Sequence, residues 1–169
     1  ELETYWKAAA DTPAFKRGAI SRSVPGSDAV FIPQVAVISQ PVTPGSPASQ
    51  RIAAIILEIF VSAKQIIEIQ QEELGRLDAV AGDGDHGIGM LRGLSAALDA
   101  AKKACHAQAG AGTLLTLSGE AWAARAGGTS GALWGVILST LGDKLGDTSV
   151  PDTASVATSV AAALREAMQ

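Results

Sequence analysis

The 169-residue sequence is poor in cysteine, in aromatic residues and in charge. It has one cysteine, 4% aromatic residues and 18% charged residues, against 47% hydrophobic residues. The single cysteine, Cys105, cannot form an internal disulfide, so a reducing cytoplasm is the expected compartment. The low aromatic content and the many Ala, Ile, Leu and Val residues favour packed helices over an aromatic-rich sandwich. We therefore expect an all-α fold.

The sequence also lacks a long hydrophobic run and an excess of positive charge. Its longest apolar run, residues 52–63, is interrupted by Glu58 and is shorter than the roughly 20 residues that a membrane helix requires. Thirteen Lys and Arg residues against seventeen Asp and Glu give a net charge of −4, without a basic stripe for a phosphate backbone. The N-terminus has no signal-peptide pattern. We expect neither a membrane nor nucleic acid as a partner, and a cytoplasmic protein.

The chain changes character near residue 50. Residues 1–16 have the apolar spacing of one short helix, whereas residues 17–49 hold five of the seven prolines and predict an extended linker. From residue 50 to residue 169 the apolar period becomes 3.6, which predicts five amphipathic helices in one domain. We expect the first to end at Gly75, the third to run from Thr113 to Ala126, and the fifth to begin near Pro151. The predicted buried stripe of the first helix is Ile52, Ile55, Ile56, Ile59, Phe60, Ala63, Ile66, Ile67 and Leu74.

Three carboxylates, Asp78, Asp83 and Asp85, lie within eight residues among glycines and alanines. The three negative charges repel each other, and their arrangement becomes favourable if a hard cation compensates this repulsion. Carboxylate oxygens are ligands that suit Mg²⁺. The alternative is a solvated acidic turn that caps the next helix. A calcium-binding EF-hand loop does not fit, because position twelve counted from Asp83 is Leu94 and not Glu. Zinc has little support, since His86 is the only nitrogen ligand nearby.

A second motif, residues 127–131, reads Gly-Gly-Thr-Ser-Gly and leads into a helix. Glycines allow close approach of a ligand to the backbone, and the unpaired N–H groups of a helix start bind phosphate well. The alternative is an ordinary glycine-rich turn between helices, and the motif is not a Walker sequence because no Gly-Lys-Ser/Thr follows. Together with a magnesium loop, the motif makes a nucleotide polyphosphate the simplest ligand.

The two motifs in this order resemble the nucleotide-binding L domain of dihydroxyacetone kinases. The resemblance rests on Gly82-Asp83-Gly84-Asp85-His86-Gly87-Ile88-Gly89-Met90 with Arg92-Gly93, and on residues 127–135 about forty residues later. It covers residues 50–169. Residues 1–20 are more weakly similar to the end of the family's substrate-binding K domain, so residues 17–49 would be an interdomain linker.

The resemblance implies a barrel of antiparallel helices that holds ATP or ADP with two Mg²⁺ ions. Asp78, Asp83 and Asp85 would hold the metal ions. The nucleotide phosphates would lie near His86, Gly87, Ile88 and Gly89, and Thr129 and Ser130 would donate hydrogen bonds to them. The family transfers the γ-phosphoryl group to a short ketose held by a K domain, and the full-length protein is expected to be a homodimer. No catalytic residue is assigned within this chain.

Two departures from the family pattern bear on these expectations. The chain contains neither the sheet of the family's K domain nor its substrate-binding histidine, so we do not expect this chain alone to phosphorylate a ketose. The family's L domain continues past the position of Gln169 with further helices and an adenine-contacting stretch, so we expect an incomplete nucleotide site and exposed apolar helix faces. Two other functions stay open: a kinase module of the fatty acid kinase type, whose substrate is presented by a separate protein, and a helical module that binds cations without catalysis. Whether Arg92 or Arg125 contacts phosphate is also open.

Overall fold

The computed structural model describes residues 42–168, and the regular secondary structure in that range is entirely α-helical. The predicted all-α fold is confirmed. The short helix at residues 1–16, the similarity of residues 1–20 to a K domain and most of the linker lie outside the described residues. The helices are α1 Pro47–Asp78, α2 His86–His106, α3 Ala111–Ala126, α4 Gly128–Leu145 and α5 Thr153–Ala167.

The five helices form an antiparallel array in chain order. Each helix packs mainly against the next one, and within residues 42–168 the first and last helices, α1 and α5, make no contact with each other. The core between them is built from small and aliphatic side chains, including Ala97, Ala101 and Leu114, which are essentially inaccessible to solvent. The described part of the chain is therefore an open array rather than a closed barrel.

Helices α3 and α4 approach closely along a seam of glycines. A methyl group added to Gly119 would lie 2.8 Å from the carbonyl oxygen of Gly135, and one added to Gly142 would lie 2.5 Å from the carbonyl oxygen of Gly112. Real methyl groups do not approach backbone oxygens this closely. The four glycines therefore set the distance between these two helices.

Four helix ends differ from the sequence prediction, and one of them is the start of α3, which lies at Ala111 instead of about Thr113. Helix α1 begins at Pro47, inside the predicted linker, because Ser46 caps it by accepting a hydrogen bond from the Ser49 N–H at 3.1 Å. It also continues through Gly75 to Asp78. Gly75 does not end the helix; its lack of a side chain instead allows the Gly84 carbonyl to lie close to α1. Helix α5 begins at Thr153 rather than near Pro151.

The start of α5 is set by Asp152. Its carboxylate accepts a hydrogen bond from the Ser155 N–H at 2.7 Å, which makes Asp152 the N-cap and leaves Pro151 outside the helix. The same backbone hydrogen bond lowers the pKa of the Asp152 carboxyl, because it stabilises the ionised form.

The predicted apolar stripe of α1 is only partly buried. Phe60 is buried and Ile56 and Ile67 pack against the core, but Ile55, Ile59 and Ile66 are 52%, 57% and 59% exposed. The prediction was wrong for these three residues because, among residues 42–168, α1 packs against other helices on one flank only. Helix α5, at the other edge, likewise exposes Val156, Val160 and Leu164. Exposed apolar faces were expected. None of the described helices is long and apolar enough to span a membrane.

The end of the array where α3 begins is held together by a polar network. Asp147 accepts hydrogen bonds from both the backbone N–H and the hydroxyl of Thr113, at 3.0 and 2.6 Å. The buried hydroxyl of Ser49 accepts from the Ala111 N–H at 2.9 Å. Both side chains thus satisfy donors of the first turn of α3, which its own N-cap residue, Gly110, leaves uncapped. We call this end the capped end.

Candidate functional site

The connection between α1 and α2 is organised by Asp78, the last residue of α1. Its carboxylate accepts hydrogen bonds from the backbone N–H groups of Gly84 and His86, at 2.9 and 3.4 Å. These bonds fold the acidic segment back onto the end of α1. As a result, Asp83 and Asp85, which the segment carries, stand beside Asp78.

The three carboxylates predicted to bind metal come together. One oxygen from each of Asp78, Asp83 and Asp85 lies within 4.8 Å of the others; Asp78 is half-buried, and the other two are exposed. The negative charge of Asp83, followed by its hydrogen bond, raises the pKa of the Asp85 carboxyl, with Asp78 adding to the effect and Arg92 opposing it. This repulsion is what a bound cation would relieve. An all-oxygen set of this size fits Mg²⁺, which keeps several waters and accepts phosphate oxygens as further ligands.

The second motif forms a turn of one residue between α3 and α4. Gly127 and Gly128 both have positive φ angles, +72° and +61°, which side chains other than glycine rarely adopt. Gly127 is the N-cap of α4 and offers no capping side chain, so the first backbone N–H groups of α4 are free to bind a ligand. Thr129 is exposed and Ser130 is half-buried at this helix start.

Both motifs line a single cavity of about 430 Å³. Its walls are Asp78, Asp83, Asp85, His86, Gly89, Met90 and Arg92 on one side and Trp122, Ala126, Gly127, Gly128, Thr129 and Ser130 on the other. The acidic cluster therefore faces the uncapped start of α4. A metal ion on the first side and an anion on the second could bind in contact with each other, as a metal-bound phosphate would.

The segment following the carboxylates enters this cavity only in part. His86 and Gly89 line it, as expected for residues near phosphates, but Gly87 and Ile88 do not. Gly87 is buried where α2 passes close to the Gln71 carbonyl of α1, and Ile88 lines a neighbouring groove. A direct contact of these two residues with a nucleotide stays a prediction.

Three lining residues, Met90, Trp122 and Ala126, were given no role in the site by the sequence analysis. Trp122 is 4% exposed, and its ring stacks on that of Trp134 with the centroids 5.1 Å apart. Trp122 lies one helical turn before Ala126, on the same face of α3. Its spacing from the glycine turn could therefore have identified it as a lining residue. The stacked pair joins the end of α3 to the start of α4, directly behind the turn.

These features define a helical domain with a carboxylate cluster opposite an uncapped helix start, and comparison with known proteins identifies its family. The DAK2 domain model matches residues 80–169, more than half of the chain. The chain therefore belongs to the DAK2 domain family, the family of the dihydroxyacetone kinase L domain. The match begins just after α1, so Asp78 lies outside it.

The chain is also similar to curated kinases of the same family. It is 46% identical over 168 residues to an L-erythrulose kinase of Pectobacterium atrosepticum and 46% identical over 168 residues to a D-erythrulose kinase of Mycolicibacterium smegmatis. An L-erythrulose 1-kinase of Mycolicibacterium smegmatis is 40% identical over 165 residues. These matches cover 99%, 95% and 97% of the chain, which spans 28% of the length of each relative.

Proposed function

We propose that this chain is the ATP- and Mg²⁺-binding domain of a short-ketose kinase, which supplies the phosphoryl group to a ketose held by a separate K domain. The observation that carries the proposal is the single cavity that joins the three carboxylates to the uncapped start of α4. Membership of a kinase family and the kinase names of the relatives support it.

Each side of the cavity has its own task in this proposal. Asp78, Asp83 and Asp85 hold Mg²⁺, with two ions expected, and the half-buried Asp78 also fixes the loop through its backbone hydrogen bonds. The N–H groups at the start of α4, with Thr129 and Ser130, donate to phosphate oxygens and orient the terminal phosphoryl group. Bound Mg²⁺ would neutralise phosphate charge during transfer.

The proposed acceptor is a ketose of three or four carbons. Its support is that the relatives are named erythrulose kinases and that the sequence resembles dihydroxyacetone kinases. We propose that a K domain, in the same or a partner chain, presents the ketose, and that the full-length protein is a homodimer.

The decisive experiment is calorimetric titration of ADP and ATP into the chain, with and without Mg²⁺. We expect Mg²⁺-dependent binding that Asp83→Ala and Asp85→Ala abolish. Glu120→Ala removes an exposed carboxylate of α3 that lies outside the cavity and should bind like the original chain. Because the nucleotide site is expected to extend past Gln169, a longer form that continues beyond this residue is titrated in parallel.

The outcomes separate the proposal from its alternatives. Binding that all carboxylate variants retain would contradict the assigned metal ligands. Absence of nucleotide binding in both forms, with Mg²⁺ binding retained, would instead support a non-catalytic cation-binding module. Nucleotide binding together with a full-length sequence that has no K domain upstream of this domain would favour the fatty acid kinase type.

A further inference from the structure

A second cavity of about 470 Å³ lies along the exposed face of α2, between α1 and α3. We call it the arginine groove. Its polar lining residues are Gln71, Arg92, Ser95, Asp99 and Arg125, and Leu91 is among its apolar ones. None of the sequence motifs that predicted the metal and phosphate site includes Arg125, Gln71 or Ser95.

The groove carries an excess of positive charge. The guanidinium groups of Arg92 and Arg125 are exposed, and within residues 42–168 neither forms an ion pair. The groove has one carboxylate, that of Asp99. Its Oδ1 lies 3.7 Å from the Lys102 Nζ, so the negative charge is partly neutralised. Gln71 and Ser95 add neutral hydrogen-bond donors. The arrangement suits an anion with several acceptor oxygens.

Arg92 lines both the arginine groove and the cavity of the carboxylates. Its side chain therefore stands at the boundary between the two, within reach of a ligand in either. We propose that the arginine groove binds a phosphate group adjacent to the carboxylate cavity, with Arg92 and Arg125 as its charged ligands.

Phosphate fits this groove better than a carboxylate. Two guanidinium groups balance a dianion, and the planar fork of arginine donates two parallel hydrogen bonds to phosphate oxygens. The volume exceeds that of a phosphate ion and accommodates a phosphorylated compound of three or four carbons beside Leu91. Two sources share this chemistry: a sugar phosphate and the terminal phosphate of a nucleotide. The choice of these two compounds as sources of the phosphate rests on the proposed function, whereas the assignment of a phosphate site to the groove does not.

The test titrates inorganic phosphate and dihydroxyacetone phosphate into the chain in the presence of EDTA, so that no metal contributes. We expect saturable binding that Arg92→Gln and Arg125→Gln each weaken about tenfold, and Arg92→Lys less, since lysine keeps the charge but loses the fork. Asp99→Asn removes the opposing carboxylate and should tighten binding. The matched control is Lys103→Gln, which removes one exposed charge from α2 outside the groove.

Absence of saturable phosphate binding, or equal weakening by Lys103→Gln, would overturn the proposal. A second arm compares ATP with ADP in Mg²⁺. If Arg92→Gln weakens the binding of ATP but not of ADP, the groove holds the terminal phosphate of the nucleotide. If it weakens dihydroxyacetone phosphate binding and leaves ATP and ADP binding unchanged, the groove holds a sugar phosphate. Failure of the proposed function would appear separately, as absence of Mg²⁺-dependent nucleotide binding in the longer form, while the EDTA titration still reports on the groove.

Discussion

The two ends of the helical array use the same residue types in opposite ways. At the capped end, Asp147 and Ser49 each accept hydrogen bonds from the first turn of α3, and their polar atoms find partners within the chain. At the other end, the carboxylates of Asp83 and Asp85 repel each other and the start of α4 has no capping side chain. Unsatisfied charge and unpaired donors are costly unless a ligand completes them. This contrast supports a stabilising role for the capped end and the proposed ligand-binding role for the other end.

The largest expected effect comes from Asp85→Asn at the binding end. Loss of a metal ligand should weaken Mg²⁺-dependent nucleotide binding at least about 100-fold, since even changes to groups around the ligands cost about 10- to 100-fold. The metal-free variant should nevertheless melt at a higher temperature than the original chain, because repulsion by Asp83 is removed. Calorimetric titration and thermal denaturation in EDTA measure the two effects. A variant that melts lower without metal would refute the assignment of this cluster to binding.

The next effect concerns the backbone of the glycine turn. Gly127→Ala places a methyl group in open space, so its cost comes from the positive φ angle alone, about 1–3 kcal/mol of unfolding free energy. Gly89→Ala is the matched control, because its methyl group would meet only an ordinary contact of 3.6 Å inside a helix and should stabilise by about 0.5–1 kcal/mol. Urea denaturation compares them. Equal stability of the two variants would contradict the strained turn.

At the capped end, Asp147→Ala should lower the unfolding free energy by about 1 kcal/mol, the usual cost of losing a helix cap. Nucleotide binding should stay within error of the original chain, since Asp147 lies outside the carboxylate cavity. Denaturation and titration of the same preparation check both statements. A clear loss of nucleotide affinity in Asp147→Ala would contradict the proposal that only the other end of the array binds the ligand.

The smallest effect is a pH dependence with opposite signs at two aspartates. The pKa of Asp85 is raised by Asp83, so its ionised form destabilises the metal-free fold near neutral pH, and acidification through that pKa removes the cost. The pKa of Asp152 is lowered by its capping hydrogen bonds, so its ionised form stabilises the fold until the pH falls through that pKa. Near pH 7 in EDTA, Asp85→Asn should therefore be stabilising and Asp152→Asn destabilising. In acid, both variants should be as stable as the unsubstituted chain. Changes in unfolding free energy of the same sign near pH 7 would contradict this account.

The sequence predicted the local parts of the site better than their assembly. The spacing of Asp78, Asp83 and Asp85 was sufficient to propose a metal cluster, because all three belong to one turn. That the cluster faces residues 127–130 depends on how α3 packs against α2, which no local pattern shows. The two motifs were joined only by the chemistry of a shared nucleotide ligand and by the family resemblance. Trp122 was missed for the same reason, because helix packing and not local sequence places it in the lining of the carboxylate cavity.

Helix existence was likewise more predictable than helix boundaries. The 3.6-residue period identified all the helices of the described range, but Gly75 was interpreted as a helix end, although it lies inside α1 and makes a close contact with Gly84 of the following loop. The buried stripe of α1 was overestimated at Ile55, Ile59 and Ile66, because periodicity reports an apolar face and not whether a neighbour covers it.

The glycine seam between α3 and α4 has a consequence for the kinetics of binding. Two helices held at backbone distance and joined by a one-residue turn form a stiff hairpin, so the N–H groups at its tip keep their direction before any ligand arrives. Association should accordingly require no rearrangement of the hairpin, and slow amide exchange should extend along the hairpin almost to its tip in the ligand-free chain.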